Sequence, residues 1–317
     1  MVDIQALRVV FFGTPEFSLP SLDALLRSRH GVVGVVTQRD RPRGRGQKTG
    51  EPPVKARATE AGVPVLQPER LKDEAFVEAL AAFGADLGVV AAYGKLLTEA
   101  VLSTPRLGLI NVHASLLPRY RGAAPVHRAV INGERETGVT IMRMVKPLDA
   151  GPMLAVARRP IGPDETSEDV ERDLARIGAA ALLETVDALA AGPLDDTPQD
   201  DSAATYAARL TKEDGAVDWT RPAEGVHNLI RGLHPWPHAF TFYRGRRWIL
   251  LRSVVLPGSA APPGTVLEAT RERLIVAAGA GTLRVLEIQV EGKRPMTARE
   301  FLAGHPVAAG AVLTPQP

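Results

Sequence analysis

The run Arg106-Leu-Gly-Leu-Ile-Asn-Val-His113 is short, apolar and bounded by Pro105 and Pro118, which is typical of a buried strand in a parallel sheet. Two polar residues near its end, Asn111 and His113, are out of place in a core. Because side chains alternate along a strand, both lie on one face, near the carboxyl edge where open α/β sheets bind ligands. A lone buried histidine is more often simply hydrogen-bonded, so the surrounding sequence must decide its role.

Strand and helix signals alternate through residues 1–192, which we interpret as one domain. An apolar strand at 7–12 is followed by Thr14-Pro15-Glu16, the residue types expected at a helix start. Further strands are predicted at 32–37, 63–66, 86–92, 138–144 and 153–158, and helices at 74–83 and 166–191. This alternation predicts an α/β, Rossmann-like domain with a mostly parallel, doubly wound sheet.

A second domain, at 210–317, is predicted after a polar linker at 193–209 that is rich in proline and aspartate. It contains a helix signal at 222–231 and a capping box, Thr297-Ala-Arg-Glu300, for a last helix. Between them lie five short strand signals separated by glycine and proline turns: 239–243, 246–254, 265–269, 274–278 and 282–288. Five short strands, with more basic than acidic residues in this domain, predict a small OB-like β-barrel.

The amino-acid composition excludes several kinds of site. The 317 residues include no cysteine, which excludes disulfides, thiolate catalysis and cysteine-based metal sites. None of the seven histidines forms a His-x-x-x-His pair on a helix, so we predict no metal. Neither a signal peptide nor an apolar span of about 20 residues is visible. We therefore expect a soluble, cytoplasmic protein, and a monomer because no surplus apolar helix suggests an obligate oligomer.

Basic charge is concentrated in one stretch. Residues 37–57 carry seven lysines and arginines against two acidic residues, although residues 1–210 as a whole have a net charge of −2. Such local asymmetry indicates a polyanionic partner. The segment Gly44-Arg-Gly-Gln-Lys-Thr49 resembles a phosphate loop only superficially, because Gln47 stands where a glycine must precede the lysine.

Several motifs resemble the family of 10-formyltetrahydrofolate-dependent formyltransferases. They are Asn111-Val-His113, Ser115-Leu-Leu-Pro118, Arg119-Tyr-Arg-Gly-Ala-Ala-Pro125, Thr137-Gly-Val-Thr-Ile141 and Leu148-Asp-Ala-Gly151. Four more segments are similar to the members that act on charged initiator tRNA: Phe11-Phe-Gly-Thr-Pro15, the basic run at 37–46, Pro235-Trp-Pro237 and Pro263-Gly-Thr265. The resemblance covers nearly the whole chain. Two positions depart from the family pattern. Pro147 stands where many members carry a glycine, and Pro152 stands where some carry an acidic residue.

The resemblance implies an enzyme that transfers a formyl group from 10-formyltetrahydrofolate to the α-amine of methionyl initiator tRNA, for translation initiation. It implies that Asn111, His113 and Asp149 form the catalytic set. It further implies that the turn formed by Ser115, Leu116, Leu117 and Pro118 lies against the folate. The residues expected to contact tRNA phosphates are Arg39, Arg41, Arg43, Arg45 and Lys48.

These residue types suit formyl transfer. Attack of the amine on the formyl carbon develops negative charge on the carbonyl oxygen, and each donor aimed at that oxygen contributes about 10²- to 10³-fold. Asn111 offers its amide NH₂ as one donor, and a protonated His113 offers another. The amine must also lose a proton while N10 of the folate gains one. His113, or a water held by Asp149, can relay it.

Other functions are compatible with parts of the sequence. Glycinamide ribonucleotide formyltransferase shares the central motifs but lacks a C-terminal domain. Sugar-nucleotide amine formyltransferases and the hydrolase domain of formyltetrahydrofolate dehydrogenase carry a second domain, but neither is expected to need the basic stretch. A Rossmann oxidoreductase is disfavoured because Gly13-Thr-Pro-Glu-Phe17 lacks the GxGxxG turn. A non-catalytic RNA-binding protein would leave Asn111, His113 and Asp149 without a purpose.

Overall fold

The computed structural model describes residues 5–43, 48–258 and 261–317, without the side chains of 42–49. The chain divides into two compact units. Unit 1 comprises Met1–Pro125, Thr137–Arg159 and Glu171–Ala207, and unit 2 comprises Val126–Glu136, Pro160–Val170 and Ala208–Pro317. The segments of the two units alternate along the chain, and the predicted domains at 1–192 and 210–317, with a linker at 193–209, stay a prediction.

The elements run in chain order. The helices are α1 (Leu19–Arg27), α2 (Pro53–Glu60), α3 (Glu74–Ala82), α4 (Glu99–Leu102), α5 (Pro125–Ile131), α6 (Ser167–Ala191), α7 (Ala223–Gly232) and α8 (Ala298–Gly304). The first eleven strands are β1 (Arg8–Gly13), β2 (Gly31–Val36), β3 (Arg41–Arg43), β4 (Lys48–Gly50), β5 (Val65–Leu66), β6 (Leu87–Ala91), β7 (Leu109–His113), β8 (Arg121–Gly122), β9 (Glu136–Arg143), β10 (Met153–Pro160) and β11 (Tyr206–Ala207). The remaining strands are β12 (Ala239–Tyr243), β13 (Arg246–Leu256), β14 (Val266–Thr270), β15 (Arg273–Ala277), β16 (Thr282–Val290) and β17 (Met296–Thr297).

In the described part of unit 1, seven strands form a sheet in the order β10-β9-β7-β6-β1-β2-β5. The strands from β7 to β5 are parallel to their neighbours, while β9 is antiparallel to β7. The four residues Val9 to Phe12 of β1 are fully buried, because β1 lies in the middle of the sheet. The predicted doubly wound, mostly parallel sheet is confirmed, and the carboxyl ends of β1 and β6 meet where its strand order reverses.

One local prediction in unit 1 was wrong. Thr14 does not cap a helix: a 3₁₀ turn at Glu16–Ser18 precedes α1, and the Thr14 hydroxyl donates instead to the Tyr93 carbonyl at 3.1 Å. Within the basic stretch, β3 and β4 pair as an antiparallel hairpin, which the sequence did not indicate. At Thr14 a hydrogen bond to a residue distant in the sequence overrides the local capping signal.

The described residues of unit 2 form an antiparallel sheet in the order β12-β13-β16-β15-β14, with β17 added beside β16. The C-terminal segment joins the two edges of this sheet. Thr314 exchanges backbone hydrogen bonds with Phe242 of β12, and the Leu313 N–H donates to Gly264, beside β14, at 2.8 Å. The sheet therefore closes into the small barrel that the sequence predicts. The capping box of α8 is also present: the Glu300 N–H donates to the Thr297 hydroxyl at 3.2 Å.

Among the described residues, no helix combines the length and apolar character needed to cross a bilayer.

Candidate active site

Strand β7 holds the two polar residues that its sequence makes conspicuous. Asn111 and His113 are both buried, and they are paired with Met142 and Thr140 of β9. The His113 Nε2 atom lies 3.0 Å from the Tyr120 carbonyl oxygen. Because a carbonyl oxygen can only accept, this hydrogen bond requires the proton on Nε2. In the neutral imidazole the other ring nitrogen, Nδ1, then has a lone pair that can accept a proton.

Asp149 faces that second nitrogen. Its Oδ2 atom lies 3.7 Å from His113 Nδ1, and the two side chains are 11% and 6% exposed. The carboxylate is oriented by the Gly122 N–H of β8, which donates to Oδ2 at 2.8 Å. The structure thus brings together His113 and Asp149, which are well separated in the sequence. At 3.7 Å the two atoms are close but beyond hydrogen-bond distance, and the pair becomes an ion pair only when His113 is protonated.

Gly122 is required by its position beside Asp149. Its φ is +117°, a conformation that residues with a side chain rarely adopt. A Cβ atom there would lie 2.8 Å from the Ala207 carbonyl oxygen of the paired strand β11. Gly122 lies within one of the family motifs, but its position in the motif predicts no role. A backbone N–H leaves no side-chain signature, so only its glycine character pointed to a close approach.

Hydrogen bonds from its own residues and from β9 hold the turn at 115–118. The Ser115 hydroxyl donates to the Arg119 carbonyl at 2.6 Å, and the Thr140 hydroxyl donates to the Ser115 carbonyl at 2.8 Å. Leu117 is buried and Leu116 is half-buried. The expected folate contact of Ser115, Leu116, Leu117 and Pro118 stays a prediction.

The loop before Asp149 is compact. The Ala150 N–H donates to the Pro147 carbonyl at 3.4 Å, and the Arg143 N–H donates to the Pro152 carbonyl at 2.9 Å. A Cβ atom on Gly151 would lie 1.8 Å from the Arg143 carbonyl oxygen. The two prolines that depart from the family pattern therefore contribute their carbonyl groups to the turn, and neither replaces a residue of the predicted catalytic set.

The basic stretch of unit 1 follows strand β2. Arg39 pairs with Glu69 at 3.2 Å, with both side chains exposed, and the Arg41 guanidinium donates to the Gln38 amide oxygen at 2.7 Å. Exposed pairs of this kind contribute little to stability and can be exchanged for a phosphate. Of the other predicted tRNA contacts, Arg45 and the side chains of Arg43 and Lys48 lie outside the described residues.

Asp40 anchors the base of the β3–β4 hairpin. Its carboxylate accepts hydrogen bonds from the Gln67 amide at 2.7 Å and from the Lys55 ammonium at 2.6 Å. These two hydrogen bonds, with that of Gln67 the larger cause, hold the pKa of Asp40 below its ordinary value. The anchor is therefore ionised at neutral pH, and it neutralises one lysine of the stretch while leaving the arginines around the hairpin.

Comparison with known proteins identifies the family. A family model for formyl transferases matches residues 7–186, and a model for the formyl transferase C-terminal domain matches residues 209–306. Methionyl-tRNA formyltransferase from Sorangium cellulosum (strain So ce56) is 47% identical over 97% of this chain and 99% of its own. The chain belongs to the methionyl-tRNA formyltransferase family. Another methionyl-tRNA formyltransferase, from Geobacter sulfurreducens, is 47% identical over 98% of both chains.

Solved structures share the fold of this methionyl-tRNA formyltransferase family member at low identity. An N-formyltransferase from Helicobacter canadensis, in complex with folinic acid and dTDP-3-aminofucose, has a TM-score of 0.66 at 14% identity and covers 88% of this chain and 98% of its own. HypX from Aquifex aeolicus in complex with tetrahydrofolic acid has a TM-score of 0.62 at 17% identity, over 98% of this chain and 51% of HypX. The resemblance found in the sequence is confirmed at the level of family and fold.

Proposed function

We propose that this chain transfers the formyl group of 10-formyltetrahydrofolate to the α-amino group of methionyl initiator tRNA. The family supplies the reaction class. The observation that carries the chemistry is the arrangement at the end of β7, where the open Nδ1 of His113 faces the Asp149 carboxylate at 3.7 Å in a nearly solvent-free position. A basic nitrogen next to a fixed negative charge is suited to take a proton from an attacking amine.

Each residue of the set has a distinct task in the proposed reaction. As the amine nitrogen bonds to the formyl carbon, negative charge develops on the formyl oxygen. The Asn111 amide donates a hydrogen bond to that oxygen. His113 Nδ1 takes the proton that the amine loses. Asp149 stabilises the resulting imidazolium. The bond between the formyl carbon and N10 then breaks, and N10 takes the proton from the His113 imidazolium as tetrahydrofolate leaves, so that proton and formyl group are both accounted for.

The basic residues support a tRNA as the carrier of the amine. Arg39 and Arg41 are exposed beside the β3–β4 hairpin of unit 1. Unit 2 separately exposes Arg244 and Arg246 at the turn between β12 and β13. Each phosphate neutralised by such a residue releases a counterion, so tRNA binding should weaken as salt increases. We also propose that the protein is a cytoplasmic monomer, because its acceptor is a cytoplasmic RNA and the reaction needs only one chain.

The test is a direct assay of the transferred group. The protein is incubated with 10-formyltetrahydrofolate labelled in the formyl carbon and with initiator tRNA charged with methionine, and the aminoacyl group is released and analysed. We expect labelled formylmethionine. A parallel reaction offers a dTDP-linked amino sugar as acceptor. Formylation of the sugar without formylation of the tRNA would overturn the proposal.

Two variants test the catalytic role of Asn111 and the tRNA contact of Arg41. Asn111→Ala should lower kcat by about 10²-fold or more with little change in the Kd for tRNA. Arg41→Ala should instead weaken tRNA binding and reduce the dependence of log Kd on log salt by about one unit. Arg273→Ala, which removes an arginine paired with Glu268 on the barrel of unit 2, is the matched arginine control. Sedimentation velocity of the full chain tests whether it is a monomer.

A further inference from the structure

Gln199 connects the backbone of Asp149 to a buried arginine. Its amide nitrogen donates to the carbonyl oxygens of Asp149, at 2.8 Å, and of Gly151, at 2.7 Å. Its amide oxygen accepts from two nitrogens of Arg121, Nε at 3.0 Å and Nη2 at 2.8 Å. All four contacts lie within unit 1. A single side-chain amide therefore spans the gap between the loop that carries Asp149 and strand β8.

The orientation of this amide is fixed by chemistry. A guanidinium can only donate and a carbonyl oxygen can only accept. The Gln199 oxygen must therefore face Arg121, and its NH₂ group must face the two loop carbonyls. Arg121 itself is 3% exposed, so the network is shielded from water on that side. Its outer nitrogen also pairs with Asp201 at 2.7 Å, but the Asp201 side chain is 81% exposed and marks the rim of the network.

Asp149 needs such a support because of its backbone conformation. Its φ is +49°, in the left-handed region that non-glycine residues seldom occupy. The direction of the carboxylate toward His113 depends on that conformation. Strand β8 holds the residue from two sides: Gly122 binds the carboxylate directly, and Arg121 binds the carbonyl group through Gln199.

We propose that Gln199, held by Arg121, is a positioning residue that sets the Asp149 carboxylate against His113 for formyl transfer. This inference rests on the proposed function for its kinetic consequence, but its structural consequence is independent of the acceptor. Nothing in the family motifs marks Gln199, since it lies in the polar segment that the sequence suggested as a linker. Its role depends on both donors of the amide, which a carboxylate of the same shape lacks.

The decisive variant is Gln199→Glu. Glutamate keeps the shape and can still accept from Arg121, but it cannot donate to the two carbonyl oxygens and its charge opposes them. We expect kcat to fall about 10- to 100-fold, as for a catalytic group displaced by about 1 Å, while the KM for tRNA stays within about twofold. The control Asp201→Asn removes only the exposed negative charge at the rim of the network and should leave kcat unchanged.

A double-variant cycle separates positioning from a general structural defect. If Gln199 acts through the Asp149 carboxylate, Gln199→Glu should slow the Asp149→Asn variant much less than it slows the unsubstituted enzyme. Independent, multiplicative losses in the double variant would overturn the inference, as would an unchanged kcat in Gln199→Glu alone.

Hydrogen–deuterium exchange provides a readout that does not depend on the reaction. We expect the amides of residues 144–152 to exchange faster in Gln199→Glu than in the unsubstituted protein or in Asp201→Asn, with the β12–β16 strands unchanged. Unchanged exchange at 144–152 would refute the positioning role whichever amine the enzyme formylates. Failure of the unsubstituted enzyme to formylate tRNA, with faster exchange in Gln199→Glu, would refute the proposed acceptor and leave the positioning role supported.

Discussion

Replacing Asp149 with asparagine isolates the charge that faces His113. Asparagine has the same shape, and its amide oxygen can still accept from the Gly122 N–H. The backbone carbonyl that binds Gln199 is also retained. The variant therefore removes one negative charge 3.7 Å from His113 Nδ1 and leaves the neighbouring hydrogen bonds in place.

The size of the effect follows from that distance. Two unit charges about 4 Å apart interact by about 4 kcal/mol at an effective dielectric constant of about 20. Both side chains are nearly excluded from solvent, so screening by salt is small. Since about 1.4 kcal/mol corresponds to a tenfold change in rate, the ceiling is about 10³-fold. We expect Asp149→Asn to lower kcat by about 10²- to 10³-fold.

The assay is single-turnover formyl transfer with both substrates saturating, so that binding does not enter the rate. Asp187→Asn is the matched control, because Asp187 also faces a histidine, with its Oδ1 atom 3.2 Å from His30 Nε2, far along the chain from β7. That control should transfer formyl groups at the unsubstituted rate. A loss of less than tenfold in Asp149→Asn would refute the electrostatic argument. So would a loss seen only in the KM for either substrate.

Three further predictions concern stability. Gly138→Ala should lower the free energy of unfolding by about 1–3 kcal/mol, because a Cβ atom would lie 2.2 Å from the Ala157 carbonyl and 2.4 Å from Leu116 Cδ2. Denaturant titration checks this value. The control is Gly192→Ala, where a Cβ atom would meet nothing within 4 Å. Thr297→Ala should lower the free energy of unfolding by about 1 kcal/mol, because it removes the cap of α8. A lower urea midpoint would support this prediction, and an unchanged midpoint would contradict it. Burial raises the pKa of Tyr93 to about 12, whereas the tyrosine of the unfolded chain ionises near pH 10. The free energy of unfolding should therefore fall as the pH rises from 10 toward 12. Tyr93→Phe should lose less of it over that range than the unsubstituted protein or Tyr206→Phe, and equal losses would contradict the argument.

The fold was predictable where burial alone decides the structure. The apolar runs that form β1, β2 and β6 are continuous and end at glycine or polar residues, so their position in a parallel sheet follows from hydrophobicity. The start of α1 was not predictable, because the Thr14 hydroxyl binds Tyr93 in preference to capping the helix. The β3–β4 hairpin was missed for a similar reason: Asp40 is anchored by Lys55 and Gln67, and that anchor is invisible in a local window.

The candidate site was predictable only in part. Asn111 and His113 are conspicuous because polar residues interrupt a buried strand, and Asp149 followed from a family motif. Gly122 and Gln199 left no comparable signal. The first contributes a backbone N–H, and the second lies in a segment whose composition is that of a linker. Residues that act through backbone groups or through a second side chain carry their information in geometry, which the order of residue types does not encode.

The conformation of Asp149 also separates the demands of stability from those of catalysis. Among residues with a side chain, asparagine tolerates the left-handed region as well as aspartate does. Stability alone therefore gives no reason for a carboxylate at a φ of +49°. Asp149→Asn should then unfold at the same denaturant concentration as the unsubstituted protein, or at a slightly higher one, while losing its activity. A variant that lost both together would show that the carboxylate stabilises the loop, and the activity loss would no longer report on the charge beside His113.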